Sequence, residues 1–143
     1  MPTRNASATW EGGLKGGRGS FEGESGAVKA PYSFGTRFEN APGTNPEELL
    51  AAAEAACFSM ALALGLEQNG TPPERVQTKA ACTLEKVGDG FQITSMRLTT
   101  RVRVKGVDQA KFQQIANATK DGCPVSKAFK GNMKLELDAT MEA

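Results

Sequence analysis

The chain has 143 residues, 39% of them hydrophobic and 23% charged, with a formal net charge of +1. That size and balance predict a single α+β domain over residues 1–143, able to bury about two-thirds of its unfolded surface. They exclude the basic footprint of a nucleic-acid binder, and the absence of histidine removes Ser-His-Asp hydrolysis, Cys-His proteolysis and His-ligated metal sites.

The opening Met-Pro-Thr-Arg-Asn is followed by no apolar stretch, so no secretory signal is read and a cytoplasmic protein is expected. A structural disulfide framework would be out of place there. Cysteines 57, 82 and 123 form no C-x-x-C pair, so a thiolate metal cluster is not expected, and neither metal nor cofactor is called for. Chemistry on this chain would have to run on Cys, Arg, Lys, Asp and Glu.

Residues 5–34 are rich in glycine and turn signals and read as a meander of two or three short strands, with Ala6–Trp10 and Arg18–Glu22 as its clearest members. Pro31–Glu39 then clusters Tyr32, Phe34 and Phe38 around Arg37. A long helix follows. Asn45 is a good N-cap, Pro46 suits the first helical position, and Glu47 and Glu48 complement the positive end of the dipole. Asn69-Gly70 and Pro72-Pro73 stop it.

Between Glu48 and Glu67 the only charge on this helix is Glu54. A helix apolar on every side is predicted to be covered on every side. The run Ala55–Leu66, interrupted by Cys57 and Ser59, reads as too short to span a membrane. The expectation is therefore a long, central, buried helix with the thiol of Cys57 in its middle.

Glu74–Lys86 and Phe91–Val104 alternate around the Gly88-Asp-Gly90 turn and predict a long antiparallel hairpin with one wet face. Asp108 caps a second helix ending near Gly122, Cys123-Pro124 opens a short third one, and Asn132–Met141 alternates as a closing strand. The predicted order is βββ-α-ββ-αα-β, with antiparallel sheets packed around the central helix.

Cys82 falls on the apolar face of its strand and reads as a core thiol. Cys57 by itself reads the same way, since a buried thiol usually serves as a small hydrophobe. Cys123 differs, because a helix N-terminus favours a thiolate; a redox pair with Cys57 is conceivable, but spacing alone does not bring the two together. Free thiols are mostly protonated at neutral pH and burial reinforces this. A reactive thiol in mid-helix would therefore need a cation. Without histidine, Arg37 is the natural supplier, partly buried among aromatic residues and held by a glutamate through a bidentate pair.

Gly-Thr-Asn-Pro-Glu-Glu-Leu (43–49), Ala-Ala-Cys-Phe-Ser-Met (55–60) and Gly-Cys-Pro-Val-Ser (122–126) closely resemble the osmotically inducible protein C (OsmC) family. The likeness runs from Trp10-Glu-Gly12 through Tyr32–Phe38 to the closing strand, and Thr36-Arg37-Phe38 places the arginine as in the OsmC branch rather than its sister, the organic hydroperoxide resistance proteins. The resemblance implies a thiol-dependent peroxidase for organic hydroperoxides, built as an intertwined homodimer. It also implies Cys57 as peroxidatic cysteine, Cys123 as resolving cysteine, and Arg37 with Glu47 as the activating pair. An external dithiol of lipoyl or thioredoxin type would regenerate the thiols, with no membrane or nucleic-acid partner.

Glu47 and Cys57 are about 15 Å apart along one helix. Either Arg37 folds back to bridge them, or Glu47 reaches Cys57 from a partner chain, which is the favoured expectation. Phe58 and Met60 are expected to give an alkyl hydroperoxide an apolar seat. The rival readings are a redox sensor or stress-protective binding protein using the same cysteines without turnover, and, more weakly, a thiol hydrolase or acyl carrier lacking its usual histidine base.

Overall fold

In the computed structural model, which describes residues 1–142, strands β1 (Ala6–Glu11), β2 (Arg18–Gly23) and β3 (Lys29–Tyr32) form an antiparallel sheet in that order. Gly19 pairs with Trp10 on one side and Tyr32 on the other, and the two rings meet across it at 5.4 Å. A Cβ at this position would come within 2.5 Å of Trp10 and 2.7 Å of Tyr32, so only glycine lets the aromatic pair close over the middle strand.

Helix α1 (Phe34–Phe38) is an element the sequence reading lacks. Five residues carry too little periodicity to be read, but Ser33 and Thr36 close a reciprocal capping box, Ser33 Oγ accepting from Thr36 N at 3.2 Å and Thr36 Oγ1 from Ser33 N at 2.9 Å. The order is therefore βββ-αα-ββ-αα-β.

Helix α2 (Pro46–Gln68) starts where expected, with Asn45 Oδ1 accepting from Glu48 N at 2.8 Å. One expectation about it fails: its 23 residues are long and apolar enough to cross a membrane by length and composition, so shortness is no argument. Within the single chain it is covered on one side only. Phe58, Leu62 and Leu66 are fully buried, whereas Met60 is 78% and Leu64 52% exposed on the other side. The helix is buried along one stripe and open along another.

The second sheet has the order β4 (Arg75–Val87), β5 (Gly90–Arg103), β6 (Lys134–Glu142). β4 and β5 make the predicted antiparallel hairpin, bulged at Thr83/Leu84. β6, however, pairs with β5 in parallel. The antiparallel expectation fails there because alternation along a strand carries no direction; helices α3 (Gln109–Gly122) and α4 (Pro124–Phe129) supply the crossover that a parallel neighbour requires.

The core joins Phe58, Leu62 and Leu66 of α2 to Leu98 and Val102 of β5, Phe112 and Ala116 of α3, and Ala139 of β6. Each large side chain in it contributes about 1.5–3 kcal/mol through burial. Gly65 lets α3 approach α2, since a Cβ there would sit 3.0 Å from Ile115. The chain divides into two compact units, one running from Met1 to Leu49 and the other from Leu50 onward.

Candidate active site

Cys57 is half-buried rather than sealed in the core. It lines an open apolar groove of about 720 Å³ together with Met60, Ala61, Leu64, Pro73 and Pro124. Three of those residues belong to the open stripe of α2 and its neighbours, so the part of the helix left uncovered is the part that surrounds the thiol. Met60 takes the place expected of it. Phe58 does not: its ring is fully buried in the core and lines no part of the groove.

Cys123 is the buried thiol, at 2% exposure. It ends α3 and caps α4, where its Sγ accepts from Ser126 N at 3.4 Å. The expected dipole activation is overruled. Burial pushes the Cys123 thiol up; the hydrogen bonds with Ser126 pull the other way, while the adjoining Cys57 and the Glu54 carboxylate add to the rise. Burial outweighs one short helix end.

Glu54 is the feature the sequence reading passed over. It is completely buried in α2, one turn before Cys57. Its Oε1 accepts from Ser126 Oγ at 2.6 Å and from Cys123 Sγ at 3.5 Å, and Cys123 Sγ also donates to Ser126 Oγ at 3.1 Å. Oε2 is buried with no hydrogen-bond partner among the described residues. The available signal was its position as the lone charge of an apolar helix; its partners, some seventy residues onward, were not readable.

In the N-terminal unit, Arg37 and Glu47 form the predicted fork. Arg37 Nε donates to Glu47 Oε1 at 3.0 Å and Nη2 to Oε2 at 3.1 Å. The capping box of α1 and the packing of Phe34 against Phe38, ring centroids 5.0 Å apart, place the arginine, whose guanidinium lies 5.3 Å from the Phe38 ring. Asn45 Nδ2 donates to Thr36 O at 2.8 Å and ties the start of α2 to α1. Both members of the pair come from the same chain. Cys82 is half-buried on β4.

The profile of OsmC-like proteins matches residues 38–138, and peroxiredoxin OsmC of Escherichia coli (strain K12) is 46% identical over 93% of this chain and 94% of that one. The chain belongs to the OsmC family. Organic hydroperoxide resistance protein OhrB of Bacillus subtilis (strain 168) is 37% identical over 70% of this chain and 72% of its own. The crystal structure of OhrB from Bacillus subtilis superposes with a TM-score of 0.71 at 29% identity, covering 94% of this chain and 97% of that one. The OsmC match takes in Glu47, Glu54, Cys57, Cys123 and Ser126, and begins one residue after Arg37.

Proposed function

We propose that the chain is a thiol peroxidase that reduces organic hydroperoxides to alcohols, with Cys57 as the attacking thiol and Cys123 as its resolving partner. The observation that carries this reading is the juxtaposition of two free thiols at one apolar groove. Cys57 lines the groove, Cys123 adjoins Cys57, and Pro124, next in sequence, lines the same groove. The names borne by its relatives in the OsmC family point to the same chemistry.

The Cys57 thiolate attacks the distal oxygen of the hydroperoxide; an S–O bond forms, the O–O bond breaks, and the departing alkoxide takes a proton to leave as the alcohol. Cys57 is then a sulfenic acid, which Cys123 converts to a disulfide. An external dithiol, of lipoyl or thioredoxin type, restores both thiols by exchange. The groove favours substrates with alkyl or aryl bodies, which bury apolar surface against Met60, Leu64 and Pro73.

Arg37, fixed by both oxygens of Glu47, supplies the positive charge that favours a thiolate. Glu47 and Cys57 stand about 15 Å apart along α2, so the pair serves Cys57 of a second chain, and the exposed Met60–Leu64 stripe of α2 takes part in the contact between copies. This gives an intertwined homodimer with the charged pair of one chain at the groove of the other.

The test is steady-state turnover of cumene hydroperoxide with a dithiol present. Cys57→Ser is expected to lose turnover by at least about 10³-fold, and peroxide-treated wild type to yield a Cys57–Cys123 disulfide by mass spectrometry. Full turnover by Cys57→Ser would sink the proposal; consumption of one equivalent and no more would make the chain a redox sensor.

A further inference from the structure

From the thiol–hydroxyl–carboxylate relay of Cys123, Ser126 and Glu54, we infer that Glu54 is the base of the resolving step, taking the Cys123 proton as the disulfide forms and passing it to the departing hydroxide. The inference rests on the proposed reading of Cys57 as the thiol that becomes a sulfenic acid.

The step needs such a group. Cys123 has no exposed face from which water could remove its proton, at 2% exposure. Its surroundings hold the thiol in the protonated form, burial being the main cause. A protonated thiol is a poor nucleophile, so its proton must leave as the sulfur attacks. Histidine, the usual acceptor, is absent from the chain. Among the described residues the oxygen acceptors within hydrogen-bond reach of Cys123 Sγ, beside the adjoining Cys57 sulfur, are Ser126 Oγ at 3.1 Å and Glu54 Oε1 at 3.5 Å, and Ser126 Oγ itself donates to Glu54 Oε1 at 2.6 Å. Both routes end on one carboxylate oxygen.

The placement of Glu54 suits the second half of the transfer as well. It lies one helical turn before Cys57, a spacing that puts the two on one face of α2. Its Oε2 is fully buried and has no hydrogen-bond partner among the described residues, a costly condition for a carboxylate whose role is structural alone. Atoms and charges balance. Cys123 Sγ attacks Cys57 Sγ, the S–S bond forms and the S–O bond breaks, and hydroxide departs with the bonding pair. The proton moves from Cys123 Sγ, directly or through Ser126 Oγ, to Glu54, and from Glu54 to the hydroxide, which leaves as water. Nothing beyond the hydroperoxide is consumed.

The test follows the two steps separately after one equivalent of cumene hydroperoxide, by rapid quench and mass spectrometry. A dimedone adduct reports the Cys57 sulfenic acid, and loss of alkylable thiols reports the disulfide. In Glu54→Gln, which keeps size and one acceptor, conversion of sulfenic acid to disulfide is expected to slow by about 10²-fold at neutral pH. Its rate is also expected to climb with pH more steeply than in wild type, as hydroxide replaces the lost base. Glu54→Asp, which keeps a carboxylate, is expected to retain more of the rate than Gln. An unchanged or faster conversion in Gln would overturn the inference, because a carboxylate that only opposed the thiolate would be a brake whose removal helps. Asp no better than Gln would overturn it too. If wild type gives no dimedone adduct and no disulfide, the reading of Cys57 itself has failed, and the role of Glu54 falls with it.

Discussion

Helix α2 carries two buried carboxylates about two turns apart, and the chain equips them in opposite ways. Glu47 gives both oxygens to the guanidinium of Arg37, at 3.0 and 3.1 Å. Glu54 gives one oxygen to a hydroxyl and a thiol, at 2.6 and 3.5 Å, and leaves the other without a partner among the described residues. Burial is similar, at 7% and 0% exposure, so burial does not set the role. The charge of the partner does. A carboxylate locked in a bidentate ion pair holds a cation in place and gives up two charge-assisted bonds if it is protonated. A carboxylate among neutral donors has a proton-bearing neighbour and an oxygen to spare.

The comparison breaks most severely at its charged end. Arg37→Met keeps an unbranched apolar stem and deletes the charged guanidinium. It is expected to reduce cumene hydroperoxide turnover by about 10²–10³-fold, and to lower stability by about 1.5–3 kcal/mol because Glu47 stays buried without its donors. Steady-state rates and urea midpoints read the two effects. Arg37→Lys, a point charge that cannot grip both oxygens, is expected to fall between Met and wild type. Mixing Arg37→Met chains with Cys57→Ser chains locates the action of the pair: regained turnover places it across two chains, and no regain places it within one.

The neutral end answers to a smaller change. Ser126→Ala removes the 2.6 Å bond to Glu54 and is expected to lower stability by about 1–3 kcal/mol, the cost of a buried acceptor deprived of its donor. Adding Glu54→Leu to Ser126→Ala is expected to recover part of that loss, since it removes the buried carboxylate and leaves only the weak thiol donor of Cys123 without these oxygen acceptors. A double variant less stable than the single would mean that Glu54 has support other than Ser126. Urea unfolding of the three chains settles the order.

The two ends also differ in how far they could be read in advance. Half of the Arg37–Glu47 fork was legible from physical need, since an arginine between Phe34 and Phe38 wants an anion; that Glu47 is the anion came from motif likeness, because a place in the first turn of a helix already accounts for a glutamate. The cysteines were legible as a pair only through motif likeness; Cys57, expected to be buried, is half-open, and the enclosure of Cys123 was not read at all. Glu54 stood out as a lone charge, yet its partners sit on α4, far along the chain, and no local pattern points to them. The hairpin β4–β5 followed from alternation and a glycine turn. The parallel placement of β6 did not, because the two edges of β5 offer the same alternation to either direction.

The smallest effect is a dependence on pH that separates the two carboxylates through the thiol beside one of them. Burial, with Cys57 and Glu54 adding and Ser126 opposing, holds the Cys123 thiol above its ordinary range in the folded chain. The folded state therefore keeps a proton that the unfolded chain releases once the pH passes about 8.5. Stability from this source is complete below that value and drains away as the pH rises through it toward the folded value. The urea midpoint of wild type is expected to fall more steeply above about pH 8.5 than that of Cys123→Ser, with the two curves parallel below it. Glu54→Gln, which removes one cause of the rise and leaves burial in place, is expected to lie between them, whereas Arg37→Met is expected to shift the curve without altering its slope there. Parallel curves for wild type and Cys123→Ser throughout would show that the enclosed thiol is not held protonated, and would remove the need for a base beside it.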